Sequence, residues 1–156
     1  MPSYWGSGVL LPYAIETYRH IPTDVVYDAS LNSGVYNYNI DTFGELVPLN
    51  NWSLYGQELE ITGNDISVHT SIPLQKQYSF LTITVKYPYT PRSGLRVRLT
   101  RDDTIVYSNS KNLDGTGGIL VEVVLDLRDI ETEGCLLELN QYVTSGTIRI
   151  NQIYFT

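Results

Sequence analysis

The chain has 156 residues, of which 42% are hydrophobic, and a formal net charge of −7 at pH 7. This length fits one domain with a real core and room for an added arm. No stretch approaches the roughly 18 consecutive apolar residues of a membrane span. The acidic balance argues against nucleic acid as a partner, and one cysteine, Cys135, excludes an internal disulfide.

Residues 1–34 combine many aromatic side chains with repeated prolines and glycines. The segment is too apolar for a solvated tail and too broken for a separate packed domain. We expect an extended docking arm that lies along its own sandwich or along a neighbouring subunit. The candidate docking residues are Tyr4, Trp5, Tyr13, Tyr18 and Tyr27. No basic stretch opens the segment, so we expect no signal peptide.

Residues 35–156 show the two-residue alternation of half-buried strands. The alternating apolar sets are Val35 to Ile40, Leu59 and Ile61, Ile66 and Val68, Leu81 with Ile83 and Val85, Leu95 with Val97 and Leu99, Ile119 to Leu127, and Leu137 with Leu139. Turn signals separate these sets, and no segment keeps a helical period. The pattern predicts an all-β jelly-roll sandwich of about 8–10 antiparallel strands over residues 35–156, with an extended N-terminal arm.

The last strand contains a change of phase. Ile148 and Ile150 share one face, whereas Ile153 and Phe155 fall on the other parity. One extra residue near Asn151 would return all four side chains to the same face. The spacing therefore predicts a β-bulge at Asn151-Gln152.

Catalytic constellations are scarce. His20 and His69 are far apart and have no metal-ligand spacing. Cys135 at a strand start is typical of a buried, inert thiol. Adjacent acids such as Asp102 and Asp103 favour a turn rather than a carboxylate pair across a cleft. We expect no catalytic residues.

Three stretches carry a resemblance to a known family. Asn39 to Glu45, followed by Trp52, is similar to an Asn-x-x-Phe-Glu opening and a later Trp. Tyr78 to Lys86 is similar to an alternating strand that ends in Val-Lys. Gly146 to Phe155 is similar to a closing Gly-x-Ile-x-Ile-Asp-x-Ile-x-Phe, with Asn151 in place of the acid. Residues 39–156 thus resemble the galactose-binding-like β-sandwich of carbohydrate-binding modules, a fold also used by adhesins and virion proteins.

The resemblance implies two kinds of site. In the family the closing acid commonly ligates a structural Ca²⁺, which makes Asp41, Glu45 and Asn151 weak candidate ligands; no other cofactor is expected. Asn151 offers only a neutral carbonyl to such a cation. Sugar binding would use exposed aromatic rings. The candidates are Tyr87 and Tyr89, which are flanked by prolines, together with Tyr55 and Tyr107, whereas Trp52 is expected to cover the core.

Two non-catalytic functions follow. In the first, the chain is a structural accessory protein of a bacteriophage virion, made in the host cytoplasm, as a capsid decoration or a tail or fibre component. Its arm docks on other protein subunits and its jelly roll faces outward. In the alternative, it is a carbohydrate-binding module or lectin that binds a polysaccharide through surface aromatics.

Overall fold

Short strands make up most of the structure. The computed structural model describes residues 24–30, 40–44, 46–48, 52–55, 58–62, 67–86, 93–113, 118–143 and 146–156. These residues form eleven strands and one helical turn. The elements are β1 (Val25–Asp28), α1 (Ile40–Phe43), β2 (Leu46–Pro48), β3 (Trp52–Tyr55), β4 (Glu58–Thr62), β5 (Ser67–Thr70), β6 (Phe80–Lys86), β7 (Gly94–Arg101), β8 (Thr104–Asn112), β9 (Val121–Asp126), β10 (Leu136–Gln141) and β11 (Thr147–Phe155).

The strands form two antiparallel sheets. One has the order β3-β4-β11-β6-β9, with β1 also paired to β11, and the other has the order β2-β5-β10-β7-β8. Alternate side chains of both sheets enter one shared core. Its largest fully buried side chains are Tyr27, Phe43, Phe155, Leu59, Ile61, Leu74, Leu81, Ile83, Leu95, Leu99 and Leu125. Burial of each such side chain contributes roughly 1.5–3 kcal/mol, and the predicted all-β sandwich is confirmed.

β11 is the centre of the six-stranded sheet. It pairs with β6 along one side, and along the other side first with β4 and then with β1. The register with β6 shifts between Ile150 and Gln152, so the predicted bulge is confirmed. The shift lets Ile148, Ile150, Ile153 and Phe155 all reach the core, where each is 0–1% exposed.

Part of the predicted arm belongs to the sandwich. Residues 25–28 form β1, and Val25 lies opposite Tyr154 in the register with β11. Tyr27 is 0% exposed and packs in the core, so the expectation that it docks on a partner is wrong. Residues 24–30 therefore lie along their own sandwich, one of the two arrangements considered for the arm. The division at residue 34 stays a prediction, and Tyr4, Trp5, Tyr13 and Tyr18 lie outside the described residues.

Two local expectations are corrected. Ile40 was placed at the end of a strand but begins α1, while residues 35–39 lie outside the described part. Ile119 was placed in the inward set that leads to Leu127, yet it precedes β9 and is 68% exposed. The inward alternation becomes regular only within β9, where Val123 and Leu125 are buried.

Candidate functional site

Metal-ligating side chains do not cluster in the described part of the chain. Among the described residues, no group of three or more His, Cys, Asp or Glu side chains could hold a metal ion. Burial raises the pKa of Cys135 above its ordinary value. Since Cys135 is also fully buried, it fits the expected inert thiol. Nor is α1, the helix of the described part, long enough to cross a membrane.

The outer face of the five-stranded sheet carries a row of charged and amide groups. In β7, Leu95, Val97 and Leu99 enter the core, so Arg96 and Arg98 lie on the outer side. The register places Arg98 opposite Glu138 and Arg96 opposite Asn140. Antiparallel partners share a face, which brings all four residues together. We call this surface the β7–β10 face; it comprises His69, Arg96, Arg98, Glu138, Asn140 and Tyr142.

The hydrogen-bond donors of Arg98 are only partly satisfied at this face. Its Nη1 lies 3.5 Å from Glu138 Oε1, and the two side chains are 31% and 26% exposed. Its Nε is buried and has no hydrogen-bond partner among the described residues. A buried N–H without an acceptor costs about 1–3 kcal/mol. Nε of Arg98 is thus a donor without an acceptor in the described part of the chain, and only a turn of the side chain would bring it to an acceptor from solution.

An aromatic ring borders the row. Tyr142 follows β10, and its N–H donates to Gly94 O at 3.1 Å. A Cβ on Gly94 would lie 2.2 Å from Tyr142 Cε1, so only glycine leaves room for the ring against this strand. Arg96 Cζ lies over the ring, 5.6 Å from its centroid. This cation–π contact and the close approach to β7 hold the half-exposed ring beside the polar row.

Gln141 fixes the turn that presents Tyr142. Its side chain is fully buried, and its Oε1 accepts from Gly94 N at 3.2 Å and from Val143 N at 2.7 Å. Its Nε2 donates to the carbonyl oxygens of Val143 and Gly146. One amide thereby satisfies main-chain groups of β7 and of the turn after β10. The position of Tyr142 is set by the fold and needs no ligand.

The outer face of the six-stranded sheet carries a different kind of network. Arg149 Nε donates to Glu60 Oε2 at 2.8 Å, and the Arg149 side chain is only 8% exposed. Lys86 Nζ lies 3.3 Å from Glu58 Oε1. Asn151 Nδ2 donates to Glu58 Oε2 at 3.4 Å. Arg149 and Lys86 thus each have a carboxylate partner on the same sheet. We call this surface the β4–β11 face; it comprises Glu58, Glu60, Lys86, Arg149 and Asn151.

The same network joins the first described strand to the last. Gln152 Nε2 donates to Asp28 Oδ2 at 2.9 Å, and Ser30 donates to Asp28 Oδ1 through both its main-chain N and its Oγ. Ala29 N also donates to Asn151 O at 2.8 Å. Side-chain and main-chain hydrogen bonds therefore connect β1 to β11.

Two of the three predicted calcium ligands are among the described residues, and these two lie in different surroundings. Asp41 is exposed on α1, Asn151 bonds to Glu58, and Glu45 lies outside the described residues. The amide oxygen of Asn151, which this hydrogen bond does not use, is neutral and holds a hard cation more weakly than a carboxylate would. The structure thus offers no observation that supports the predicted Ca²⁺ ligand set.

The predicted sugar-binding tyrosines do not form one described cluster. Tyr107 pairs with the buried Leu99 and packs partly against the core, and its Oη accepts from Asn109 Nδ2 at 3.1 Å. Tyr55 lies opposite Glu58 in register, but its side chain is outside the described part, as are Tyr87 and Tyr89 altogether. Tyr107 therefore lies on the inner side of its strand, away from the β7–β10 face.

Sequence reasoning missed the β7–β10 face. The alternation of Leu95, Val97 and Leu99 assigns the intervening Arg96 and Arg98 only to the polar side of a strand, and Tyr142 is not among the residues predicted to bind a ligand. The sequence feature that points to the β7–β10 face is the pair of arginines two residues apart on one side of a strand. Its meaning depends on Glu138 and Tyr142, which come from a distant strand.

No protein-family model and no curated protein matches this chain. Solved structures do. A family 29 carbohydrate-binding module gives a TM-score of 0.56 at 12% identity, covering 85% of this chain and 89% of that one. A xylan-binding module, CBM15, gives 0.53 at 10% identity, covering 67% and 80%. This chain has the β-sandwich fold of carbohydrate-binding modules.

Similarity also extends to part of an enzyme. A family two carbohydrate esterase from Cellvibrio japonicus gives a TM-score of 0.51 at 14% identity, covering 71% of this chain. The matched part is 32% of the length of the esterase chain. At these identities the likeness concerns the fold alone.

Proposed function

We propose that this chain is a non-catalytic carbohydrate-binding module whose ligand contacts the β7–β10 face. The observation that carries the proposal is the fixed ring of Tyr142 beside the polar row of Arg96, Arg98, Glu138 and Asn140. Solved carbohydrate-binding modules with the same fold support it.

The chemistry of the face suits a sugar polymer. Sugar rings present apolar faces, which pack on aromatic side chains, and hydroxyl groups, which exchange hydrogen bonds with charged and amide groups. Neighbouring strands are about 4.8 Å apart and alternate residues on one strand about 6.7 Å apart, so the polar groups form a grid rather than a single point. An extended oligosaccharide could contact several of its members at once.

The experiment is affinity electrophoresis in gels that contain soluble polysaccharides, both neutral and acidic. We expect retarded migration of the wild-type chain in at least one gel, and loss of the retardation in Tyr142→Ala. The matched control is Tyr154→Ala, because Tyr154 is a partly buried tyrosine on the outer side of β11. Thermal unfolding of both variants would establish that each is folded.

Two outcomes contradict the proposal. Retention that Tyr154→Ala abolishes and Tyr142→Ala preserves would move the site to the other sheet. Unretarded migration of the wild-type chain across the whole panel would remove the carbohydrate function. Virion location and arm docking stay predictions from the sequence, since no described residue supports them and Tyr27 lies in the core.

A further inference from the structure

We infer that the ligand of the β7–β10 face carries an anionic group, a carboxylate or a sulfate ester on a sugar. This inference rests on the proposed function and specifies its substrate class. It follows from the charge, the pairing and the burial of Arg96, Arg98 and Glu138.

The β7–β10 face has a positive excess on an acidic protein. Arg96 and Arg98 supply two formal positive charges and Glu138 one negative charge, whereas the whole chain has a net charge of −7. A locally cationic surface on an acidic chain attracts anions to one place and repels them elsewhere. The charge distribution therefore selects for an anionic ligand at this face.

Arg96 has no acid partner among the described residues. Among the residues that the structure describes, no carboxylate lies within ion-pair distance of Arg96, whose contact is with the Tyr142 ring. The register places it opposite the neutral residues Asn140 and Ser110. Its guanidinium N–H groups are thus available to an acceptor that arrives beside Tyr142.

Arg98 has an acid but retains an unsatisfied donor. The Nη1 to Glu138 Oε1 separation of 3.5 Å is long for a charge-assisted hydrogen bond. Its Nε is buried without a partner in the described part of the chain. Since Nε itself is buried, a carboxylate or sulfate would reach it only after a turn of the Arg98 side chain, which is 31% exposed, and the planar guanidinium would then match two oxygens of one anion. A neutral hydroxyl oxygen accepts weaker hydrogen bonds from a guanidinium than an anionic oxygen does, and it leaves the positive charge unbalanced.

The experiment uses polysaccharide pairs that differ in the anionic group. The first pair is glucuronoxylan and the same polymer after carboxyl reduction, which tests a carboxylate. The second is dextran sulfate and dextran, which tests a sulfate ester. Isothermal titration calorimetry of the full chain should give binding to the charged member of one pair, with affinity at least about tenfold above the neutral member and falling as sodium chloride rises.

Variants separate recognition from general charge. Arg98→Met should lower affinity for the charged polymer about ten- to a hundredfold, as expected for loss of a charge-assisted hydrogen bond. Glu138→Gln should raise it, because a competing carboxylate is neutralised. Arg128→Met is the matched control: it removes one positive charge from an exposed arginine after β9 and should leave affinity unchanged.

The results distinguish failure of the anionic inference from failure of the carbohydrate function. If Arg98→Met and the wild-type chain bound with equal affinity, both to the charged and to the neutral member of a pair, the anionic inference would be overturned. The carbohydrate function would still stand. Equal losses in Arg98→Met and Arg128→Met would reduce the effect to unspecific attraction and overturn it as well. Failure to bind any neutral or charged polymer would remove the carbohydrate function itself.

Discussion

The two outer sheet faces contain the same types of charged side chain in different states of pairing. On the β4–β11 face, Arg149 and Lys86 each have an acid partner within about hydrogen-bond distance, and Arg149 is nearly inaccessible. On the β7–β10 face, Arg96 faces an aromatic ring, and the buried Nε of Arg98 has no acceptor among the residues that the structure describes. Paired, buried charges contribute to the fold only while both partners remain. Charged side chains whose hydrogen-bonding groups lack protein partners can instead bind a ligand.

The largest expected effect tests the difference between the two faces directly. Arg149→Met should lower the free energy of unfolding by about 2–3 kcal/mol, between the values for exposed and fully buried pairs, because Glu60 would lose the guanidinium that donates to its Oε2 at 2.8 Å. Arg98→Met should lower it by less than about 1 kcal/mol, since that pair is longer and more exposed. Urea unfolding of the two variants measures both values.

A double-mutant cycle adds a control to that pair of measurements. Glu60→Gln should cost less in the Arg149→Met background than in the wild-type chain, because the coupling between the two residues is already lost. If Arg98→Met proved as destabilising as Arg149→Met, both faces would be structural and the distinction between them would fail.

A second prediction concerns the Tyr142 ring on the β7–β10 face. Gly94→Ala should lower the free energy of unfolding by about 1–3 kcal/mol, because the new Cβ would lie 2.2 Å from Tyr142 Cε1. In a Tyr142→Ala background the same substitution should cost much less, since the ring is absent. Thermal and urea unfolding of the single and double variants would measure this, and additive losses would contradict the close packing of the ring on β7.

The smallest effect concerns the end of β9, on the outer side of the six-stranded sheet. Side-chain and main-chain hydrogen bonds from Arg128 lower the pKa of Asp126 to about 2. A lowered carboxyl pKa adds stability that is fully present above the ordinary value near 3.9 and is lost as the pH falls toward 2. An NMR titration of the Asp126 carboxyl carbon should show this pKa, and Arg128→Met should return it to the ordinary range. An unchanged pKa in Arg128→Met would show that the arginine is not its cause.

The residue pattern alone predicts the main fold. Two-residue alternation identified β6, with Leu81, Ile83 and Val85 inward, because a half-buried strand must place every second side chain in the core. The change of parity between Ile150 and Ile153 located the bulge in β11 for the same reason. Burial of Cys135 also followed from its position before an apolar strand.

The positions of β1 and of the candidate site depend on how distant strands pair, which the residue pattern does not show. Tyr27 looked like part of an adhesive arm because four residues of β1 carry too little pattern to reveal a partner strand at the other end of the chain. Arg98 meets Glu138, and Tyr142 meets Gly94, only through the pairing of β7 with β10 and the turn held by Gln141. Alternation indicates which side of a strand faces solvent, whereas strand order and register determine which side chains meet there.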